Sequence, residues 1–398
     1  LRFPGVFPAF LFLIFAAGPI PHAGPLSLLW TAPAILLSSL MIAWGAESAQ
    51  YFMAQGFALA ILAWMQTLPE FAVEAVIAWR QQTPLLLANL TGALRLLTGL
   101  GWPVIYFTAA MAHRRRGRAA LNSIKLDEHH SVEVIGLLIP LIYIAVVCAK
   151  ATLTIFDAVV LAAIYGAYLL ILSKLPPESP ESIEDLEAVP RAIVTAPRAI
   201  RIGAIVILFL GGAAAIRFSA EPFVGSLLAV AGVLGVANFV AVQWLAPIVS
   251  EFPEMASTVY FARTADRAPM ALMNMVSSNI NQWTLLFAML PVVFSISAGH
   301  AAAIPLDPEQ QLQLLMTLGQ ALVGLMFLIN MELAWWEALA LLVLFAIPFL
   351  SPLAAKPVTA AYFLWAGYEM YRLASGQREP VALIRFAETW NKHLSAKR

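Results

Sequence analysis

Apolar runs of about 20 residues recur from one end of this 398-residue chain to the other, and few folds can absorb them. Only 12% of the residues are charged, against roughly 25% in water-soluble domains. A soluble fold could not hide so much apolar surface, so lipid must act as solvent for nearly all of the chain. Inside lipid each backbone N–H and C=O has to find a partner within the protein, and runs of this length do so as helices. The expected fold class is therefore all-α: one polytopic membrane domain, multi-pass, with the lipid bilayer as its first partner.

Breaks at Pro, Gly and charged residues divide the apolar runs. They predict helices near residues 6–20, 27–47, 52–79, 84–111, 131–149 and 154–172, and again near 200–218, 222–242, 244–262, 269–297, 311–330, 335–351 and 357–373. Residues 1–26 form an N-terminal apolar segment. It reads as an extra helix rather than a signal-peptide core, because only Arg2 precedes it and no small-residue cleavage site is evident. Residues 27–173 and 200–352 are two similar halves, and 174–199 is a polar, acidic and Pro-rich linker. Residues 353–398 supply an extra C-terminal helix and a basic tail that reads as a solvated end.

Basic residues flanking short loops, Arg114, Arg115, Arg116, Arg118, Arg263 and Arg267 among them, mark the cytoplasmic side. Both termini are then cytoplasmic, in a plasma or inner membrane. Arg80 and Lys356 are exceptions to the pattern. Lys+Arg and Asp+Glu balance at 23 each, which excludes nucleic acid as partner, since phosphate neutralisation needs a basic excess. The single cysteine, Cys148, rules out an intrachain disulfide and a cysteine metal cluster.

The halves repeat an internal pattern. Leu68-Pro69-Glu70, after Gln66-Thr67, is matched by Phe252-Pro253-Glu254, after Ser250-Glu251. Asn89 follows Glu70 by 19 positions and Asn274 follows Glu254 by 20. Asp157 and Glu337 open corresponding helices 87 and 83 positions beyond those glutamates. Five spanning helices per repeat, an odd number, would make the second repeat enter the membrane from the opposite side. The result is two inverted five-helix repeats with a site near the midplane.

A carboxylate at mid-bilayer costs at least about 2.5 kcal/mol, so each glutamate should face a cavity or a counter-charge. The adjacent proline lacks an N–H and breaks or kinks the helix, freeing carbonyls. Gln66, Thr67, Glu70 and Glu74 share one helical face, as do Ser250, Glu251, Glu254, Ser257 and Thr258. Hard oxygen donors of this kind suit Ca2+ and Na+ rather than soft metals. In the second half Asn274, Ser277, Ser278, Asn281 and Gln282 continue a polar stripe, with Asn279 beside it and Met275, Val276 and Ile280 opposite. In the first half Asn89 is followed instead by Leu94, Arg95, Leu96 and Leu97. Arg95 could pair with Glu74, snorkel to the interface, or stand in for a cation at Glu70 or Glu254.

These elements resemble the two α-repeats of the cation/Ca2+ exchanger superfamily, to which the membrane region of sodium/calcium exchangers belongs. That family carries Gly-Thr-Ser-Leu-Pro-Glu followed by Gly-Asn-x-x-Gly-Ser-Asn in each half, and the likeness covers residues 27–351. The matching elements here are Met65 to Glu70 with Ala88 to Leu94, and Val249 to Glu254 with Met273 to Asn279. The resemblance implies ten core helices in two inverted halves, with Glu70 and Glu254 as the central Ca2+ carboxylates and Thr67 and Ser250 aiding Na+. The candidate cation ligands are thus Glu70, Glu254, Thr67, Ser250, Gln66, Glu251, Asn89, Asn274, Ser278 and Gln282. The family glycines are replaced by Met65 and Val249, and its Thr-Ser pair by Gln66-Thr67 and Ser250-Glu251. The counter-ion therefore stays open between Na+ and H+.

The function so implied is a secondary-active antiporter of Ca2+ against Na+ or H+, with inorganic cations as partners and no tightly bound cofactor. The alternative from another class is a non-transporting scaffold or sensor in which Arg95 closes the ion path. An enzyme is not expected. Asp127-Glu128-His129-His130 could offer metal ligands, but without a partner motif it reads as a solvated loop.

Overall fold

The computed structural model describes residues 23–52, 67–175, 183, 186, 188–263 and 267–394. The helix expected near 6–20, residues 53–66 of the window at 52–79, and with them the candidate ligand Gln66, lie outside that set. The helices are α1 (Leu28–Ala49), α2 (Leu68–Trp79), α3 (Thr83–Arg115), α4 (Ser131–Lys150) and α5 (Ile155–Leu172). After a short α6 (Ala188–Val194) in the linker come α7 (Arg198–Leu234), α8 (Asn238–Ser250), α9 (Phe252–Ala262) and α10 (Ala268–Ala298). The chain closes with α11 (Pro308–Leu328), α12 (Trp335–Leu350), α13 (Ala355–Ala374) and α14 (Val381–Thr389). Among the described residues seven helical stretches are long and apolar enough to span a membrane, and α8 and α12 are shorter apolar helices.

Three windows of the second half resolve differently from expectation. Those at 200–218 and 222–242 merge into α7, which runs straight through Pro222. A proline removes a single N–H, and membrane helices tolerate it where side chains and neighbouring helices satisfy the freed groups. The missing N–H leaves the Phe218 carbonyl without its helical donor, and the hydroxyls of Ser219 and Ser226 bond back to the Ala215 and Pro222 carbonyls on either side of that gap. The window at 244–262 splits into α8 and α9 around Glu251, whose N–H still bonds to the Pro247 carbonyl at 2.9 Å. Pro253 has no N–H to offer the turn before it, which ends the helix there.

The chain forms two compact units, each drawing on both halves of the sequence: Leu1–Leu90 with Pro176–Glu254, and Thr91–Leu175 with Met255–Arg398. In the first unit α1 lies along α7, and α2 and α8 pack against α7 as well. A Cβ on Gly212 would stand 2.7 Å from Ile42 Cγ1 and 3.0 Å from the Ser38 carbonyl. The missing side chain is what lets these backbones approach, as small residues do between membrane helices. Arg80, an exception to the charge pattern, pairs with Glu221 of α7.

The second unit displays the repeat as geometry. Strand β1 (Ser123–Lys125) pairs antiparallel with β4 (Glu332–Ala334), and β2 (Thr152–Leu153) with β3 (Ile304–Pro305). Ala151 and Met331 precede β2 and β4 and both adopt positive φ, 54° and 60°. The Leu306 N–H donates to the Ala151 carbonyl and the Leu126 N–H to that of Met331, each at 2.9 Å. Every one of these positions has its counterpart 180 residues away, so each repeat completes the other's loop. Asp157 and Glu337, also 180 apart, occupy the third position of α5 and α12 and reach back to the Thr154 and Ala334 N–H groups.

At Arg378 the basic tail is not a solvated end. Arg378 is 7% exposed and bonds Glu369 on α13, Glu337 on α12, the Phe327 carbonyl and Asn330. α14 packs against α4.

Candidate functional site

Both Pro-Glu elements start helices rather than kinking them midway. Pro69 falls in the first two positions of α2, after Thr67 at the N-cap, and Glu70 stands in the first turn. Glu254 holds the same place in the first turn of α9. A helix N-terminus presents unpaired N–H groups and the positive end of its dipole, which favours a carboxylate there. Half-helices that begin inside the membrane are also where transporters build ion sites.

Glu70 and Glu254 belong to the same unit. Glu70 is 1% exposed, and it lies within reach of the Ser250 hydroxyl, which donates to the Ala246 carbonyl at 3.2 Å, and within electrostatic reach of Glu254. The fold thus brings Glu70, Ser250 and Glu254 together across 180 residues of sequence. Thr67 and Glu251, each also buried, flank them in the chain. One helical turn beyond Glu70, the buried Glu74 faces the Asn89 amide and the Leu90 N–H. Asn89 is thus near Glu74, a proximity that the spacing rule did not foresee, although no hydrogen bond joins them.

In the second unit Ser278, Asn279, Asn281 and Gln282 are buried, and Asn274 and Ser277 half-buried. The Asn279 amide donates to the Met275 carbonyl at 3.0 Å, and its Oδ1 accepts from the Thr98 hydroxyl at 3.4 Å. Ser277 meets the Tyr168 hydroxyl at 3.2 Å. Gln282 opens a π-helical turn, Gln282–Leu286, and Leu97 opens another, Leu97–Gly101. Each π turn begins eight positions after its motif asparagine. π-Bulges interrupt the regular ladder and concentrate at functional sites. Side chains cover equivalent carbonyls just before both: Gln320 donates to Arg95 O at 3.0 Å, and Thr284 to Ile280 O at 2.6 Å.

Arg95 does not snorkel; it is 1% exposed. Its Nε donates to the Thr91 carbonyl, and its Nη1 to Gln313 Oε1 at 2.8 Å, with the Met316 sulfur 3.8 Å away. The guanidinium therefore points toward α11, and Tyr362 of α13 is within its electrostatic reach. Gln313 and Gln320 were missed by sequence reasoning. Their signal was present, since two glutamines in an apolar membrane helix are expensive unless each meets a partner. Gln313→Leu is expected to destabilise the protein by about 1–3 kcal/mol, because it strips a buried donor of its acceptor. Arg95→Met in the same chain should restore much of that loss. Thermal unfolding of the two single variants and the double variant gives the coupling.

The comparisons bear on the whole chain. A family model described as sodium/calcium exchanger protein matches residues 24–174 and 204–350. Among solved structures, the H+/Ca2+ exchanger CAX is similar with a TM-score of 0.84 and 30% identity, over 94% of this chain and 93% of that one. The structure of native YfkE gives a TM-score of 0.58 at 14% identity, over 89% and 99%. The sodium-calcium exchanger NCX_Mj gives 0.54 at 18%, over 82% and 97%. No curated protein matches the sequence. The latter two structures speak for the fold alone, which is a polytopic all-α membrane protein of two inverted five-helix repeats.

Proposed function

This chain belongs to the sodium/calcium exchanger protein family, and from that premise we propose that it is a secondary-active antiporter moving Ca2+ against H+. The observation that carries the proposal is the meeting of Glu70 and Glu254, from equivalent first turns of the two halves, with Ser250 at the end of α8. In this reading the repeats run from 27 to 173 and from 200 to 352, joined by the 174–199 linker, in a plasma or inner membrane with both termini cytoplasmic.

Charge balance explains why such a site would exchange rather than leak. Two ionised carboxylates offset one Ca2+, and two protonated carboxyls are neutral without it. Either loaded state can be carried through a low-dielectric barrier. The empty dianion cannot, because burying unpaired charge costs several kcal/mol per ion. Thr67, Ser250 and Glu251 would complete the oxygen shell, since Ca2+ takes roughly six to eight oxygen ligands. Glu251 stands where the family has a hydroxyl residue, and a carboxyl adds a proton acceptor. That substitution, together with the 30% identity to an H+/Ca2+ exchanger, supports H+ over Na+ as counter-ion. Asn89, Asn274, Ser278 and Gln282 are the further candidate cation ligands of this reading. The scaffold alternative rested on Arg95, and a guanidinium turned toward Gln313 lends it no support.

The test is isotopic Ca2+ uptake into proteoliposomes with an acidic lumen, compared with vesicles that hold Na+ inside at equal pH. Uptake should follow the pH gradient and collapse with a protonophore. Uptake driven by the Na+ gradient alone would refute H+ coupling, and no uptake in either case would refute antiport.

A further inference from the structure

We propose that Asp127, His129 and His130, with Glu133 beside them, form a binding site for a borderline transition-metal dication of the Zn2+ class. The segment reads as a solvated loop from sequence, yet His130 is only 4% exposed and Glu133 only 8%. One ligand atom from each of Asp127, His129 and His130 lies within 4.8 Å of the others. His130 Nδ1 stands 3.7 Å from Glu133 Oε1, too far for a hydrogen bond, and neither that nitrogen nor Glu133 Oε2 has a hydrogen-bond partner among the described residues. Zn–N and Zn–O bonds of about 2.0–2.2 Å place tetrahedral ligands about 3.3 Å apart. A shared ion needs the Asp127, His129 and His130 ligand atoms to close by no more than about 1.5 Å, judged against that spacing.

The internal repeat supplies an independent comparison. Asp307, the counterpart of Asp127 180 positions on, caps α11 by accepting the Gln310 N–H at 2.8 Å. Asp127 holds the same N-cap place before Glu128–His130 and makes no capping bond from its side chain. Its carboxylate is instead grouped with two imidazoles, while the counterpart positions of His129 and His130 are Glu309 and Gln310. The first repeat has thus given up a helix cap at the position where it gained two histidines. Imidazole with carboxylate selects Zn2+ and similar ions over Ca2+, which prefers oxygen alone. The site would also tie down the turn that faces the tail, because Arg385 pairs with Glu128 at 3.0 Å and α14 packs on this turn.

Co2+ added to the purified full-length protein in detergent tests the assignment through its visible absorption. One equivalent should produce bands of a low-coordinate nitrogen-ligated site that Zn2+ removes and excess Ca2+ does not. His129→Ala and Asp127→Asn, at positions not fully buried, should each weaken binding at least tenfold, while Glu254→Gln should leave the spectrum intact. If either variant fails to fold by thermal unfolding, the other decides. Absence of the bands in the wild type, or bands of equal strength in the folded variants, overturns the proposal. Loss in Glu254→Gln alone would place the metal among the transport carboxylates and overturn it equally.

Discussion

Glu254→Gln is expected to lower the initial rate of gradient-driven Ca2+ uptake at least 100-fold while the protein still folds. Glutamine preserves the shape of the side chain and most of its hydrogen bonding but not its charge. Ca2+ at the altered site would lose one of the paired carboxylates that offset it at mid-membrane. Breaking a buried ion pair by removing one partner costs about 3–5 kcal/mol, and each 1.4 kcal/mol is about tenfold. Glu70→Gln should fall by a similar factor, because Glu70 occupies the equivalent first turn. Measured as isotope uptake in matched proteoliposomes, near-wild-type rates in both variants would remove the carboxylate pair from the mechanism.

The largest structural effect is expected from Arg378→Met, which should destabilise the protein by about 3–5 kcal/mol. Its target is an asymmetry between the repeats. In the first half Asp157 is held by Lys150 of the same repeat, at 2.5 Å. The position 180 residues after Lys150 is Asn330, which carries no charge. Arg378, from the C-terminal extension, supplies the cation instead, pairing with Glu337 at 2.7 Å and Glu369 at 2.8 Å while bonding Asn330 at 3.1 Å. Glu337 and Glu369 are both at least 98% buried. Methionine matches much of the arginine stem but leaves Glu337 without its cation. Arg378→Lys should recover only part of the loss, since a single ammonium cannot reproduce a fork that reaches two carboxylates, a carbonyl and an amide. Thermal unfolding reads the loss. Faster hydrogen exchange in α14 would show that the tail is released first.

The membrane class and the two halves were legible because both follow from long-range pattern: apolar length for the first, Pro-Glu and asparagine spacing for the second. The helix count in the second half was less accessible. Pro222 looked like a boundary, whereas Ser219 and Ser226 sit within a helix that continues through it. The tail was misjudged for a related reason. Charge density says solvent, and only tertiary structure reveals that Glu337 lacks a local partner for Arg378 to replace. At the candidate site the residue types were readable, but partner choice was not. Asn89 lies near Glu74 rather than only on the spacing-rule face, and Arg95 donates to Gln313, a residue 218 positions away that no local spacing rule could name.

The central claim is that Ca2+ moves only in exchange for protons at the Glu70 and Glu254 pair. Its most direct test is lumenal pH, read by a trapped dye, in proteoliposomes given external Ca2+ with no other gradient and the membrane potential clamped. The lumen should become alkaline as Ca2+ enters, and Glu254→Gln should abolish both signals together. Ca2+ entry with lumenal pH unchanged would contradict the claim.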